Sequence, residues 1–292
     1  ISSASSENLP ALYKMERRGV VGEPGRTGPS LEKRRYRKFT DELVHTNVAK
    51  IGRTTEGFKF VNEFVILKTI GEGTQGKVKL CVDTTTDDMM AIKIFDRNRM
   101  SKRRRSGFQG RSLLDEIMRG IEIQGSLTHR NIVKIYEVID DDSCDYLFVL
   151  MHLMDYGSVM TEGAPSATTV EENVARKYFS DIAHGLAYLH EGQVVHRDLK
   201  PSNFLMDKNH NACISDFGQA CRFGAEGDRI HDSLGTPAFL SPELCSVDGK
   251  PRGRPSDVWA LGISLYFVIF GAVPFQGSSL PDLYQSICDN VL

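Results

Sequence analysis

Between residue 60 and about residue 153 the apolar positions fall in short alternating runs, FVNEFVILKTI, KVKLCVD and MMAIKIFD, separated by GEGTQG and TTTDD. A period of two in segments rich in Val, Ile and Phe predicts strands, and turns this short predict an antiparallel meander. The basic stretch RNRMSKRRRSGFQGR interrupts the alternation. Helical spacing follows over Leu113 to Leu127, then two more strand-like runs, IVKIYEVID and YLFVLMHL. Past Asp155 the period lengthens: Val174, Tyr178, Ile182, Leu186 and Leu189 make one apolar stripe, and Thr169 with Glu172 predicts a capping box ahead of it. A strand-rich half followed by a helix-rich half predicts an α+β chain of two lobes with a cleft between them.

The boundaries that follow are a β-rich N-lobe over 61–153 and an α-rich C-lobe over 154–292. Residues 1–60, with GEPGRTGPS and EKRRYRKF, lack a sustained apolar period and are expected to form a disordered basic tail. Its charge run is read as a solvated face, with an acidic partner or a nuclear signal as alternatives. Overall, 36 Lys+Arg against 38 Asp+Glu leave a net charge of −2. That offers no electrostatic reason to bind nucleic acid or a membrane surface, so neither is expected as a partner. The apolar run from Val258 to Phe270 is too short to span a bilayer and reads as a buried core helix. The first thirty residues carry no apolar h-region. Six scattered cysteines without a CxxC pair point to reduced thiols, hence to the cytoplasm or nucleus.

Three stretches carry candidate chemistry. Gly71, Gly73 and Gly76 form GxGxxG, a pattern shared with dinucleotide-binding folds. Those folds need a helix after the glycines, whereas a strand-like KVKLCVD follows here, so the reading is a hairpin whose backbone amides can approach phosphate, with Val78 roofing a base. Lys93, in MAIK, either faces water or finds phosphate oxygens as its counter-charge. The densest signal is VVHRDLKPSNFLM followed by ISDFG and GTPAFLSPE. Asp198, Asn203 and Asp216 together supply oxygen ligands for Mg2+ and a proton acceptor for a hydroxyl nucleophile.

With these motifs in this order, residues 62–292 resemble the eukaryotic protein kinase family. The resemblance implies ATP and Mg2+ as cofactors and a protein carrying Ser or Thr as substrate. It implies that Gly71, Gly73 and Gly76, with Ile70 ahead of them, cover the nucleotide, and that Lys93 grips its α- and β-phosphates. Asp198 would accept the substrate proton, Lys200 would assist the γ-phosphate, and Asn203 and Asp216 would hold the metal. Val78, Ala91 and Leu205 would sandwich adenine, and His152 and Met154 would bond it behind a Met151 gatekeeper. Lys200 and GTPAF are similar to serine/threonine rather than tyrosine kinases. MDYGSVM, HRDLKPSNFLM and GTPAFLSPE resemble calcium/calmodulin-dependent protein kinase kinases. That resemblance implies another kinase's activation loop as substrate, and calmodulin as a partner only of a longer chain.

Three departures stand out. The family's N-lobe helix glutamate, partner of the strand lysine, falls on Gly120, and its apolar spine residue falls on Gln124. Glu116 or Glu122 could restore the pair by a register shift, and Gly120→Glu is expected to raise the rate. The family's activation-segment phospho-acceptor falls on Asp232, a carboxylate that could pair with Arg197, with Ser233 beside it as a candidate phosphorylation site. The sequence reaches Leu292 short of the last C-lobe helices, which in the family supply an arginine for Glu243. These departures motivate an alternative, a pseudokinase or scaffold that binds nucleotide without turnover.

Overall fold

The computed structural model describes residues 42–73, 76–102, 112–160, 170–230, 234–246 and 248–289. The strands, in chain order, are β1 Val44–Thr46, β2 Ile51–Arg53, β3 Lys59–Val61, β4 Phe64–Glu72, β5 Lys77–Asp83, β6 Met89–Asp96, β7 Ile135–Ile139, β8 Tyr146–Met151, β9 Gly157–Ser158, β10 Val194–Val195, β11 Phe204–Met206, β12 Ala212–Ile214 and β13 Cys221–Arg222. The α-helices are α1 Arg97–Lys102, α2 Leu113–Gly125, α3 Glu172–Glu191, α4 Pro242–Cys245, α5 Gly253–Phe270 and α6 Leu280–Asp289. Eight strands form one sheet in the order β1-β7-β8-β6-β5-β4-β3-β2. The alternating segments pair as the antiparallel meander that their turns predict, and the helices dominate the second half, giving the bilobal α+β fold.

Each lobe has its own apolar centre. In the N-lobe, Phe64, Cys81, Ile92, Phe148 and Leu150 pack on one face of the sheet, while Ile117 and Ile121 of α2 pack with Ile135, Leu147 and Val149 on the other. In the C-lobe, Ile182, Leu186 and Leu189 of α3 meet Ile214, Leu261 and Ile263, burying the stripe read from the sequence. Helix α2 begins with a capping box in which Ser112 and Asp115 satisfy one another's backbone amides. Helix α3 starts at Glu172 with Glu171 as its cap residue. The expected capping partner Thr169 lies outside the described residues.

Two expectations are revised. The tail does not run to residue 60: residues 42–60 contribute β1, β2 and most of β3. Strands of three residues show too few alternations to stand out in a polar sequence; residues 1–41 lie outside the described residues. The helix expected over Val258–Phe270 begins five residues earlier, at Gly253, and is not buried all round, since Val258 and Phe270 are 57% and 60% exposed. All six cysteines are free thiols. Among the described residues no helix is long and apolar enough to cross a membrane.

Candidate active site

The hairpin of β11 and β12 fixes the centre of the site. Its register, Phe204 opposite Ile214 and Met206 opposite Ala212, sets Asn203 beside Ser215. The Ser215 amide and hydroxyl both donate to the Asn203 carbonyl, at 2.9 and 2.8 Å. The loop carrying Asp198 and the turn carrying Asp216 are therefore direct neighbours. Asn203 Nδ2 donates to the Asp198 carbonyl at 2.8 Å. His196, fully buried, joins the same two segments, with Nε2 3.1 Å from the Ser215 carbonyl and its ring edge-on to Phe217.

Two non-glycine residues here hold left-handed backbone, Arg197 at φ 67 and Asp216 at φ 61. Such conformations persist only when their surroundings over-determine them. For Arg197 the determinant is Asp257, buried on α5, which sequence reading had passed over. Its carboxylate accepts from the amides of His196 and Arg197 at 2.9 and 2.8 Å and lies 3.0 Å from His190 Nε2. The apolar run read as a helix begins at Val258, one residue after Asp257.

Asp198 sits in a small polar cluster. Thr236 Oγ1 donates to Asp198 Oδ1 at 2.7 Å, Lys200 Nζ donates to Thr236 Oγ1 at 2.7 Å, and Lys200 lies 3.4 Å from Asp198 Oδ2. Thr236 is the second functional side chain that sequence reading missed, although GTPAF contained it. Lys93 on β6 lies 3.3 Å from Asp216 Oδ1 and 5.1 Å above the Phe95 ring, so the strand lysine does find a counter-charge. The Lys93 ammonium holds the Asp216 carboxyl below the usual carboxylate range, outweighing burial, with further pull from His196 and Lys200. Two ammonium groups beside the oxygens of Asn203, Asp198 and Asp216 fit a magnesium nucleotide, because Mg2+ combines one or two protein carboxylates with phosphate oxygens.

Toward the other end the cleft turns apolar. Val78 is paired with Lys93, and Ala91 with Leu80 and Met151, by register. Met154 packs with Val133, Cys213, Met151 and Leu205. The His152 amide donates to the Lys134 carbonyl at 2.9 Å, so a bond from His152 to a base comes through its carbonyl. Ile70 is exposed on β4, next to Gly71, which pairs with Val78. Within the glycine hairpin, Gly73 and Gly76 close on one another, each amide donating to the other's carbonyl at 2.9 and 3.4 Å. Gly76 is required for another reason, since a β-carbon there would lie 2.4 Å from the Ile94 carbonyl. The tip at 74 and 75 lies outside the described residues.

Gly120 and Gln124 are contacts rather than gaps. A β-carbon on Gly120 would lie 2.5 Å from the Phe217 carbonyl oxygen and 3.1 Å from Gly218 Cα. Helix α2 thus rests directly on the backbone that follows Asp216. Gln124, buried one turn on, donates Nε2 to the Val133 carbonyl at 2.7 Å. Lys93 pairs across the cleft with Asp216.

Within its described residues, the activation segment is anchored at Asp228. Asp232 and Ser233 lie outside the described residues, and Arg197 Nε donates to the Gln219 carbonyl at 2.6 Å. The Asp228 carboxylate, fully buried, accepts from Arg252 Nε at 2.9 Å and from the amide and Nε of Arg254 at 2.9 and 3.2 Å. Its carbonyl accepts from the Gly253 amide at 2.6 Å. Helix α5, whose own cap residue Arg252 offers no side-chain cap, therefore receives its N-terminal carboxylate from another segment. Burial pushes the Asp228 carboxyl up, but these hydrogen bonds outweigh it and bring the pKa to about 2, from 3.8. A depressed pKa contributes stability that is fully present above the unfolded value and fades as pH falls from about 4 toward 2. Asp228→Ala leaves the two arginines and the Arg254 amide without this acceptor, while the Gly253 amide keeps its bond to the backbone carbonyl, so thermal unfolding at pH 7 should show a loss of about 2 kcal/mol. A melting temperature matching the parent's would dismiss the clamp.

A strand-rich lobe and a helical lobe, joined where a lysine meets one aspartate and a threonine-bound aspartate faces a second lysine, define a phosphotransferase of the bilobal kinase class. Residues 64–292 match the protein kinase domain family, and the chain belongs to it, as a serine/threonine protein kinase domain. It is 40% identical over 269 residues to a probable serine/threonine-protein kinase of Dictyostelium discoideum, covering 91% of this chain and 37% of that protein. It is 36% identical to the serine/threonine-protein kinase GRIK2 of Arabidopsis thaliana, covering 87% of this chain and 60% of the relative. Identity to the calcium/calmodulin-dependent protein kinase kinase of Caenorhabditis elegans is 32%, over 80% of this chain and 46% of the relative. The chain spans less than two thirds of the length of each of these relatives.

Proposed function

We propose that this chain transfers the γ-phosphoryl group of ATP to a serine or threonine on the activation segment of another kinase, as an upstream kinase of the calcium/calmodulin-dependent kinase kinase type. The observation that supports it most is the Asp198 carboxylate, held by the Thr236 hydroxyl and flanked by Lys200. Asp198 Oδ2 takes the proton of the substrate hydroxyl. Thr236 fixes the rotamer in which it does so, and Lys200 balances charge at the transferred group. Lys93 and the glycine hairpin orient the nucleotide between the lobes. Bound Mg2+, held by Asn203 and Asp216, would neutralise charge on the triphosphate. Proximity and charge neutralisation carry the catalysis, and no covalent enzyme intermediate is needed. Asp228's tie to α5 gives the substrate-facing segment a fixed shape from Asp228 through Ile230, whose amide donates to Pro251.

The test is phosphate incorporation into peptides that differ only in carrying Ser, Thr or Tyr, and into a catalytically dead kinase domain with or without its activation-segment threonine. Labelling of Ser and Thr peptides, and of the intact domain only, is expected. Transfer no faster than that of Asp198→Asn, with nucleotide still bound, would leave the pseudokinase alternative standing. We assign calmodulin only to a longer chain, so calcium and calmodulin should leave the rate of residues 1–292 unchanged. Six free thiols suit a reducing compartment, and we place the protein in the cytoplasm or nucleus.

A further inference from the structure

The sheet order puts β1 and β2 at opposite edges of eight strands, yet only residues 47–50 separate them in the chain. Seven strand spacings laid flat would span about 34 Å. Five Cα steps reach at most about 18 Å. The N-lobe sheet is therefore curled until its edges approach, and residues 42–53 staple the opening. The staple is well bonded on both sides. β1 runs parallel to β7, with Val44 opposite Glu137 and Thr46 opposite Ile139. The Thr46 hydroxyl donates to Glu137 Oε1 at 2.5 Å, the Asp140 amide to the Thr46 carbonyl at 2.8 Å, and the Ala49 amide to Asp141 Oδ2 at 2.9 Å. On the far side the Lys50 amide donates to Asn62 Oδ1 at 2.8 Å and Asn62 Nδ2 to the Val48 carbonyl at 3.0 Å.

The same segment reaches the helix that lacks the family glutamate. Leu43 packs against the cluster of Ile117 and Ile121, and a β-carbon on Gly125 would lie 2.5 Å from Leu43 Cδ2. Helix α2 is thus gripped at two glycines. Gly120 lies on the Phe217–Gly218 backbone and Gly125 lies under Leu43, with the Gln124 bond to Val133 between them. We propose that residues 42–53 are a strap that sets the position of α2, with Leu43 on Gly125 as the positioning contact, and through Gly120 sets the turn that presents Asp216 to Lys93. The strap restrains α2 where Gly120 offers no side chain of its own. Leu43 touches neither nucleotide nor substrate; it acts through α2.

The experiment uses the full chain with Leu43→Ala, Leu43→Met, and the volume-conserving pair Leu43→Ala with Gly125→Val. Amide hydrogen exchange, which needs no turnover, is read first. Leu43→Ala should speed exchange in residues 117–125 and 217–220 while leaving 253–268 of α5 as in the parent. An increase confined to residues 42–53 overturns the proposal. The kinetic arm rests on the transfer reaction proposed above, which a parent rate exceeding that of Asp198→Asn establishes separately. There Leu43→Ala should lower kcat roughly tenfold, with KM for ATP and peptide within twofold. Leu43→Met should stay near the parent, and the paired variant should regain most of the loss. A lowered melting temperature with kcat unchanged at saturating substrates would reduce the strap to a structural element and refute the positioning role.

Discussion

Asp198→Asn should bind nucleotide and peptide much as the parent does and turn over about 10²- to 10⁴-fold more slowly, the range a positioned general base contributes. The asparagine keeps the size of the side chain and an oxygen that can accept from Thr236 Oγ1, which lies 2.7 Å from the aspartate. The hydrogen-bonded frame of the loop survives, because Asn203 donates to the Asp198 backbone carbonyl rather than to its carboxylate. What disappears is the acceptor for the hydroxyl proton and the charge facing Lys200. The loss therefore belongs in kcat, with KM for ATP within a few-fold. Asp216→Asn should behave differently: it removes the counter-charge to Lys93 and weakens a metal ligand, so it should raise KM for magnesium ATP as well. A steady-state comparison that found Asp198→Asn as fast as the parent would sink the base assignment.

Gly120→Ala should destabilise the protein, although in a helix interior the same exchange ordinarily stabilises by about 1 kcal/mol. The sign makes the test informative. The added methyl would stand 2.5 Å from the Phe217 carbonyl oxygen and 3.0 Å from its carbon, and backbone cannot swing aside as a side-chain end can. Overpacking of this kind typically costs about 1–3 kcal/mol, so a fall of several degrees in the melting temperature is expected. Turnover should fall with it, since the displaced backbone adjoins Asp216. The rise in rate that the sequence suggested for Gly120→Glu is reversed by the same contact, because its β-carbon meets Phe217 before a carboxylate can approach Lys93. A Gly120→Ala variant more stable than the parent would show that α2 does not rest on this turn.

The contrast between Gly120 read in the sequence and Gly120 in the structure shows where local reading stops. Set against a family pattern, Gly120 and Gln124 looked like lesions, because a pattern records which residue is absent and not what the replacement touches. Gln124 turned out to satisfy the Val133 carbonyl, and Gly125, unremarked in the sequence, proved to be the seat of Leu43. Likewise the family offset pointed to Asp232, while the carboxylate that the structure does describe in ion pairs is Asp228, four residues earlier. Nothing in DRIHDS marks Asp228 as an anchor, since its partners Arg252 and Arg254 lie more than twenty residues on. The strands at 44–46 and 51–53 were hidden for a simpler reason, being too short to show a period.

By itself the sequence determined the two-lobed order of strands and helices and the chemical inventory of the cleft, because hydrophobic period and residue type are written locally. The tertiary structure decided which partner each of those groups meets. Lys93 finds Asp216 across 123 residues, Asp198 finds Thr236 across 38, and β1 finds β7 across 91. Such pairings are set by how the sheet curls and how α2 lies on it, and a chain read one window at a time carries no record of either.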